Sequence, residues 1–204
     1  MSERTVLVPG SVVTLAALQR GSARVQVEQA DEATVRLATS GFVVSLCGGG
    51  NAEPGSEPYA QAGELAHLVV QAGGMVVNGG ENAGVMLAST QAIPDATLGI
   101  ACPYHVLSPH GAKAIVTSYQ TRKMLLTAMP TVVVFPGQVG TLDELVTTIG
   151  WMKSLAKQGT AQPPKLFVHR FWVDVLELLG RKGAVQRSVL DGITVFSKPH
   201  EVVS

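Results

Sequence analysis

Thr131-Val132-Val133-Val134-Phe135, running straight into Pro136-Gly137-Gln138-Val139-Gly140-Thr141-Leu142-Asp143-Glu144, is the stretch that decides how this chain folds. Its first five residues are a continuous β-branched and aromatic run, the pattern of a strand buried on both faces. Leu142, Leu145, Val146, Ile149 and Met152 then recur at helical spacing, which predicts a helix beginning near Thr141. The loop between them carries two glycines, Gly137 and Gly140. A buried strand feeding a helix through such a loop leaves unpaired backbone N–H groups at the helix N-terminus. That is a seat for an anion, best suited to a phosphate. Glu144 follows one turn into the helix, so the segment reads as a phosphate cradle with a carboxylate beside it.

Working outward, short apolar runs alternate with longer amphipathic ones. Phe42 to Cys47 predicts a strand ending in Gly48-Gly49-Gly50-Asn51, and Tyr59 to Ala72 a helix closed by Gly73-Gly74. Met75 to Asn78 predicts a strand that opens into Gly79-Gly80-Glu81-Asn82-Ala83-Gly84, before a helix from Val85 to Ala92 stopped by Pro94. Strands are expected at Thr97 to Ala101, Ala114 to Thr117, Leu166 to Val168 and Ile193 to Phe196. Helices are expected at Thr121 to Met129, Leu142 to about Ala156, and Phe171 to Leu179, with a loop from Gln158 to Pro164. This alternation calls for a parallel α/β sheet covered by helices on both faces, a three-layer arrangement. Ligands of such sheets sit beyond the carboxyl ends of the strands, where these glycine loops fall. In the first forty residues, Thr5 to Val8 and Val12 to Leu15 predict strands and Asp31 to Ser40 a helix. They read as an N-terminal elaboration of one domain spanning residues 1–204.

The bulk composition narrows the function. A chain of 204 residues suffices for one sizeable core. Hydrophobic residues make up 46% and charged residues 15%, with a mean hydropathy of +0.28, so much surface is hidden in a covered sheet or a subunit interface. Net charge is zero, which gives no general attraction to nucleic acid or to anionic membranes. Cys47 and Cys102 lie in or beside apolar runs, form neither a disulfide framework nor a metal-ligand spacing, and fit a reducing cytoplasm. The stretch from Arg4 to Ala23 loosely mimics a signal peptide, but Pro9-Gly10 interrupts it and Glu3 offsets Arg4. No run approaches the roughly 18 apolar residues of a membrane span.

Three glycine-rich strand ends thus face one edge of the sheet: Cys47 to Asn51, Asn78 to Gly84, and Pro136 to Thr141. None is the dinucleotide fingerprint opening a first helix, and none is a phosphate loop with its lysine. Their order resembles the LOG family, cytokinin riboside 5′-monophosphate phosphoribohydrolases once misnamed lysine decarboxylases. The residues that carry the resemblance are Cys47-Gly48-Gly49-Gly50, then Gly79-Gly80-Glu81-Asn82-Ala83-Gly84-Val85-Met86, then Arg122-Lys123. The run from Pro136 to Glu144 completes it, and Trp151 follows where the family often has a tryptophan. The likeness spans about Gly41 to the C-terminus.

The resemblance implies a modified Rossmann-like fold, a homodimer, and hydrolysis of the N-glycosidic bond of an AMP-like nucleoside 5′-monophosphate to free base and ribose 5-phosphate. It implies no metal and no cofactor. Arg122 and Glu144 become the catalytic pair. Glu144 would receive the ribose hydroxyls and stabilise positive charge developing on the sugar, and Arg122 would hold the phosphate or base side. Gly48, Gly49, Gly79, Gly80, Lys123, Pro136, Gly137, Gln138, Val139, Gly140 and Thr141 become the substrate and phosphate contacts.

Plainer readings stand beside these. Thr141-x-x-Glu144 is also a helix capping box, Arg122-Lys123 also a solvated helix face, and Tyr59 is expected in core packing. The chain departs from the family's pattern at Glu81 and Gln138, which replace loop glycines, and at Tyr119-Gln120, where the family has Met-His. A carboxylate at Glu81 disfavours a neighbouring anion unless it points away. His105 and His110, in the loop from Cys102 to Gly111, are too loosely spaced to argue for a metal, though they could touch a base. A non-catalytic nucleotide or molybdenum-cofactor carrier or sensor of the same fold is therefore the alternative. A single-strand DNA binder needs a basic groove that the neutral charge does not supply. Lysine decarboxylation is rejected, because no lysine sits in a context for a pyridoxal phosphate Schiff base.

Overall fold

The computed structural model describes residues 2–7, 25–30, 34–39, 42–116, 118–158 and 162–203. Two sheets are present among the described residues. The smaller is antiparallel, in the order β1–β3–β2, from β1 (Ser2–Leu7), β2 (Val25–Ala30) and β3 (Thr34–Thr39). It corrects the helix expected at Asp31 to Ser40. Thr34-Val35-Arg36-Leu37-Ala38-Thr39 alternates with period two, and full pairing with β1 from Val6↔Val35 to Ser2↔Thr39 overrides its weak helical pattern. The strand expected at Val12 to Leu15 lies outside the described residues.

The larger sheet is parallel throughout, in the order β10–β9–β8–β4–β5–β6–β7. Its strands are β4 (Val43–Cys47), β5 (Met75–Asn78), β6 (Thr97–Ala101), β7 (Ala112–Ile115), β8 (Thr131–Val134), β9 (Lys165–His169) and β10 (Ile193–Phe196). Side chains of alternate parity feed two cores. On one face Cys47, Val77, Ile100, Val132, Val134 and Val168 meet α3 (Tyr119–Thr127), α4 (Val139–Gln158) and α5 (Val173–Arg181). On the other, Val44, Leu46, Val76 and Val133 meet α1 (Glu57–Gln71), α2 (Gly84–Ala92) and the short C-terminal α7 (His200–Val203). The helix α6 (Arg187–Leu190) precedes β10. The result is the three-layer α/β architecture expected, because strands buried on both faces need helices on both.

Chain order runs outward from β4 in two directions. β4 pairs with β5 on one side and with β8 on the other, with Leu46↔Asn78 and Leu46↔Val133 in register. That reversal opens a crevice at the carboxyl ends of β4 and β8, the place where open α/β sheets hold ligands. A buried amide shapes one wall. Asn78 Nδ2 donates to Met86 O, Ser89 Oγ and Thr90 Oγ1 at 2.9–3.1 Å, while its Oδ1 accepts the Gly80 N–H at 2.8 Å. The loop after β5 is thereby tied to α2. Asn78→Ala leaves the buried Gly80 N–H without its partner and should destabilise the fold by roughly 2–4 kcal/mol. Urea denaturation of the variant measures the loss.

Candidate functional site

At the crevice the first and third glycine loops touch. The Gly49 N–H donates to Pro136 O at 3.0 Å. A Cβ on Gly137 would lie 2.2 Å from Thr141 Oγ1 and 2.8 Å from the Gly49 nitrogen, so the approach admits only glycine. Together with the loop after β5 they enclose a pocket of about 190 Å³. Helix α4 opens onto it and begins at Val139 rather than Thr141: Leu142 N–H is received by the Gln138 carbonyl at 3.0 Å. Gln138 is the capping position, so the capping-box reading of Thr141 and Glu144 fails. Gln138, Val139 and Gly140 are exposed, and the first-turn N–H groups behind them have no carbonyl a turn earlier to receive them.

Arg122 stands on the opposite wall. Ser118 caps α3 by accepting the Thr121 N–H at 3.1 Å, and Arg122 falls one turn in, 5% exposed. Its guanidinium is held from several sides. Nε donates to Ile100 O at 3.1 Å, and Nη2 donates to Gly79 O at 3.2 Å and to Glu81 Oε1 at 3.0 Å. Gly79 must lack a side chain, since a Cβ there would lie 1.9 Å from Nη2. Nη1 reaches toward Glu144, 4.0 Å from Oε1, and makes no hydrogen bond among the described residues. Buried cations require such partners.

Glu144 is 7% exposed and lines the pocket beside Cys47. Burial pushes its carboxyl up to about 7, against the opposing pull of the Arg122 charge. Burial, and then the Glu144 charge, raise the Cys47 thiol, which stays protonated. Tyr119, also on the pocket wall, is pushed up to about 12 by burial and by the Glu144 and Asp143 carboxylates. Burial lowers His105, whose Nδ1 lies 3.6 Å from Glu81 Oε1.

The three loops and the catalytic pair named from sequence therefore meet in one place. Gly48, Gly49, Gly79, Gln138, Gly140, Thr141, Arg122 and Glu144 all line the pocket. Others do not take the contacts expected. Lys123 grips both oxygens of Asp143 at 2.9 and 3.0 Å outside the pocket wall, and the Gly80 N–H is committed to Asn78. Pro136, Gly137 and Val139 frame the loop without lining the cavity. Tyr59 packs between α1 and α2, with its hydroxyl on Gln91. Glu81 points into the site rather than away from it. Sequence reasoning also missed Cys47, Met86 and Tyr119 as wall residues. Strand parity was the signal available for Cys47, the last residue of β4 before the first glycine loop. A larger cavity, about 710 Å³, opens at the opposite ends of β4, β8 and β9, and Lys165 is the one ionisable residue among its described lining.

Glu144 sets a pH dependence of stability with a defined sign. Its folded carboxyl titrates near 7 against an ordinary 4.5, so between those values the folded state holds a proton that the unfolded chain releases. Raising pH through that window weakens the fold, by on the order of 3 kcal/mol when complete. Glu144→Gln removes this slope. Its stability relative to wild type should therefore rise between about pH 5 and about pH 8 in urea denaturation at each pH.

Among known proteins, a family model described as "possible lysine decarboxylase" matches residues 68–204. The molybdenum cofactor binding protein of the phototrophic bacterium Rippkaea orientalis is similar in structure, with 19% identity and a TM-score of 0.61, covering 80% of this chain and 93% of that one. The molybdenum cofactor carrier protein of Chlamydomonas reinhardtii has 15% identity and a TM-score of 0.58, covering 79% and 94%. At such identities the likeness speaks for the shared Rossmann-like fold alone. No curated protein matches the chain. The family match spans most of the chain and includes Arg122, Lys123 and the whole run from Pro136 to Glu144, so the protein belongs to the possible lysine decarboxylase, or LOG, family.

Proposed function

We propose that the protein hydrolyses the N-glycosidic bond of a nucleoside 5′-monophosphate, releasing free base and ribose 5-phosphate. The observation that carries the reading is the approach of Arg122 Nη1 to Glu144 Oε1, 4.0 Å apart in a pocket that opens on the N-terminus of α4. The 5′-phosphate lies against the free N–H groups of the first turn of α4, with the Thr141 hydroxyl as a further donor. A pocket of about 190 Å³ is smaller than the roughly 300–1,000 Å³ that encloses a whole ligand, so it seats the sugar phosphate and leaves the base at the mouth.

In the reaction, water forms the new bond to C1′ while the C1′–N bond breaks and its electron pair leaves with the base, and the proton the water gives up ends on the departed base by way of solvent. Glu144, ionised above about pH 7, receives the ribose hydroxyls and stabilises the cationic sugar of the transition state. Arg122 orients Glu144 and keeps its charge in place through Nη1. The protein acts as a homodimer in this reading, with exposed Val139 and Val146 on one face of α4 as the surface to be covered.

A second reading, a non-catalytic carrier or sensor, is favoured by one observation: Glu81 already holds the Nη2 prong of Arg122. Similar solved structures include a molybdenum cofactor binding protein and a molybdenum cofactor carrier protein.

A panel of nucleoside monophosphates assayed by mass spectrometry for free base separates the two. Hydrolysis predicts products whose rate rises with pH to a plateau above about 7, the value set by Glu144. Glu144→Gln should then lower kcat by about 10²–10³ with the fold intact. A phosphorylated ligand retained through purification with no product from any monophosphate would favour the carrier.

A further inference from the structure

Glu81 sits where loop 79–84 meets the segment after β6. Asn82 N–H donates to Val106 O at 2.8 Å and Ser108 N–H to Gly80 O at 3.0 Å, while Glu81 and Leu107 form an isolated bridge. The Glu81 backbone is therefore fixed, and its side chain is presented at the pocket wall, 31% exposed. One oxygen meets Arg122 Nη2; the other carries no hydrogen bond among the described residues. Among those residues the wall holds two carboxyl groups, Glu81 and Glu144, against one guanidinium. Lys123, the nearest further cation on α3, is bound to Asp143.

Two consequences follow from chemistry. With Arg122 paired to Glu81 and facing Glu144, the pocket beyond the phosphate seat has no surplus positive charge and favours a cation. It also has no strong acid to protonate a departing base. Arg122 does not give up a proton, Tyr119 holds its proton up to about 12 and donates it to Asp143, and Cys47 is raised by burial. Burial lowers His105, which disfavours its protonated form, so Glu144 is the remaining acid, and the oxocarbenium-like sugar needs it ionised.

We infer that Glu81 makes this site selective for nucleoside 5′-monophosphates whose base is already cationic at or in conjugation with the glycosidic nitrogen. This rests on the hydrolytic reading above and names its substrate class. A cationic base takes the electron pair of the broken C1′–N bond and leaves neutral. Water supplies the oxygen at C1′, and its surplus proton passes to Glu144 and on to solvent. No proton has to reach the leaving group. Glu81 attracts the positive ring at the mouth of the pocket, with His105 beside it as a neutral donor.

The test uses a pair of probes that differ by one N7-methyl group and the ring charge it brings: GMP and 7-methylguanosine 5′-monophosphate, with nicotinamide mononucleotide as a second cationic probe. Rates are corrected for uncatalysed hydrolysis, and binding is measured by calorimetry in parallel. Wild type should prefer the methylated over the unmodified nucleotide by about tenfold or more, and Glu81→Gln should lower that ratio by about tenfold, chiefly through KM. Glu81→Asp should restore part of it. Equal corrected kcat/KM for the two probes in wild type overturns the inference. A Glu81→Gln effect that lowers both alike also overturns it, since that is the signature of a mere prop for Arg122. If no probe is cleaved, the hydrolytic reading falls, and binding decides for Glu81. Tighter cationic binding that Glu81→Gln abolishes sustains the selectivity; equal binding ends it.

Discussion

Burying the Arg122 guanidinium at the carboxyl edge of the sheet is the constraint around which this region is arranged. A charge 95% removed from water is tolerated only where its N–H groups are received, and here the receivers come from separate parts of the chain. The Ile100 carbonyl lies within the last two residues of β6, the Gly79 carbonyl follows β5, and Glu81 belongs to the loop beyond. The same requirement dictates Gly79, whose missing Cβ is the space that Nη2 occupies. Moving any of these would strand a buried donor, so the guanidinium fixes the loop after β5 as much as that loop fixes the guanidinium.

From that fixed cation the electrostatics of the pocket follow. Glu144 is desolvated by its neighbours on β4 and α4, and Arg122 Nη1 at 4.0 Å only partly offsets the cost, so the carboxyl stays near 7. Glu81 takes the better-placed prong and leaves Glu144 the weaker interaction. In the proposed reading the anion seat lies elsewhere, on the exposed first turn of α4, where backbone dipoles provide positive potential without a side-chain cation. The proposed reaction, on a sugar between a phosphate and a base, calls for that separation of an anion seat from the charge-stabilising carboxylate.

Much of this was legible in the residues. The run from Thr131 to Phe135 and the heptad-like recurrence of Leu145, Ile149 and Met152 define β8 and α4 by hydrophobic period alone, and Met75 to Asn78, Thr97 to Ala101 and Ile193 to Phe196 coincide with β5, β6 and β10. Boundaries were less so. The start of α4 shifts to Val139 because Gln138, not Thr141, provides the first accepting carbonyl, and the capping preference belongs to Thr141 while Gln138 has none to announce it. Thr34 to Thr39 reads with a weak pattern of either period, and only pairing with β1 and β2 makes it a strand. Lys123 was expected from the resemblance as a substrate contact beside Arg122; α3 turns it about a third of the way round, onto Asp143.

Local pattern by itself determined the α/β class, the glycine loops at three strand ends, and the placing of Glu144 one turn beyond the last of them, because periodicity and turn chemistry act within a few residues; Arg122 stood out only through the family resemblance. Which loops share a pocket, and which partner Glu81 takes, were decided only in three dimensions. β4 and β8 become neighbours because the strand order reverses at β4, a property of the whole sheet and not of either segment. Charge pairing across that junction depends on distances between residues far apart in the chain, and Coulomb energy and desolvation are functions of those distances.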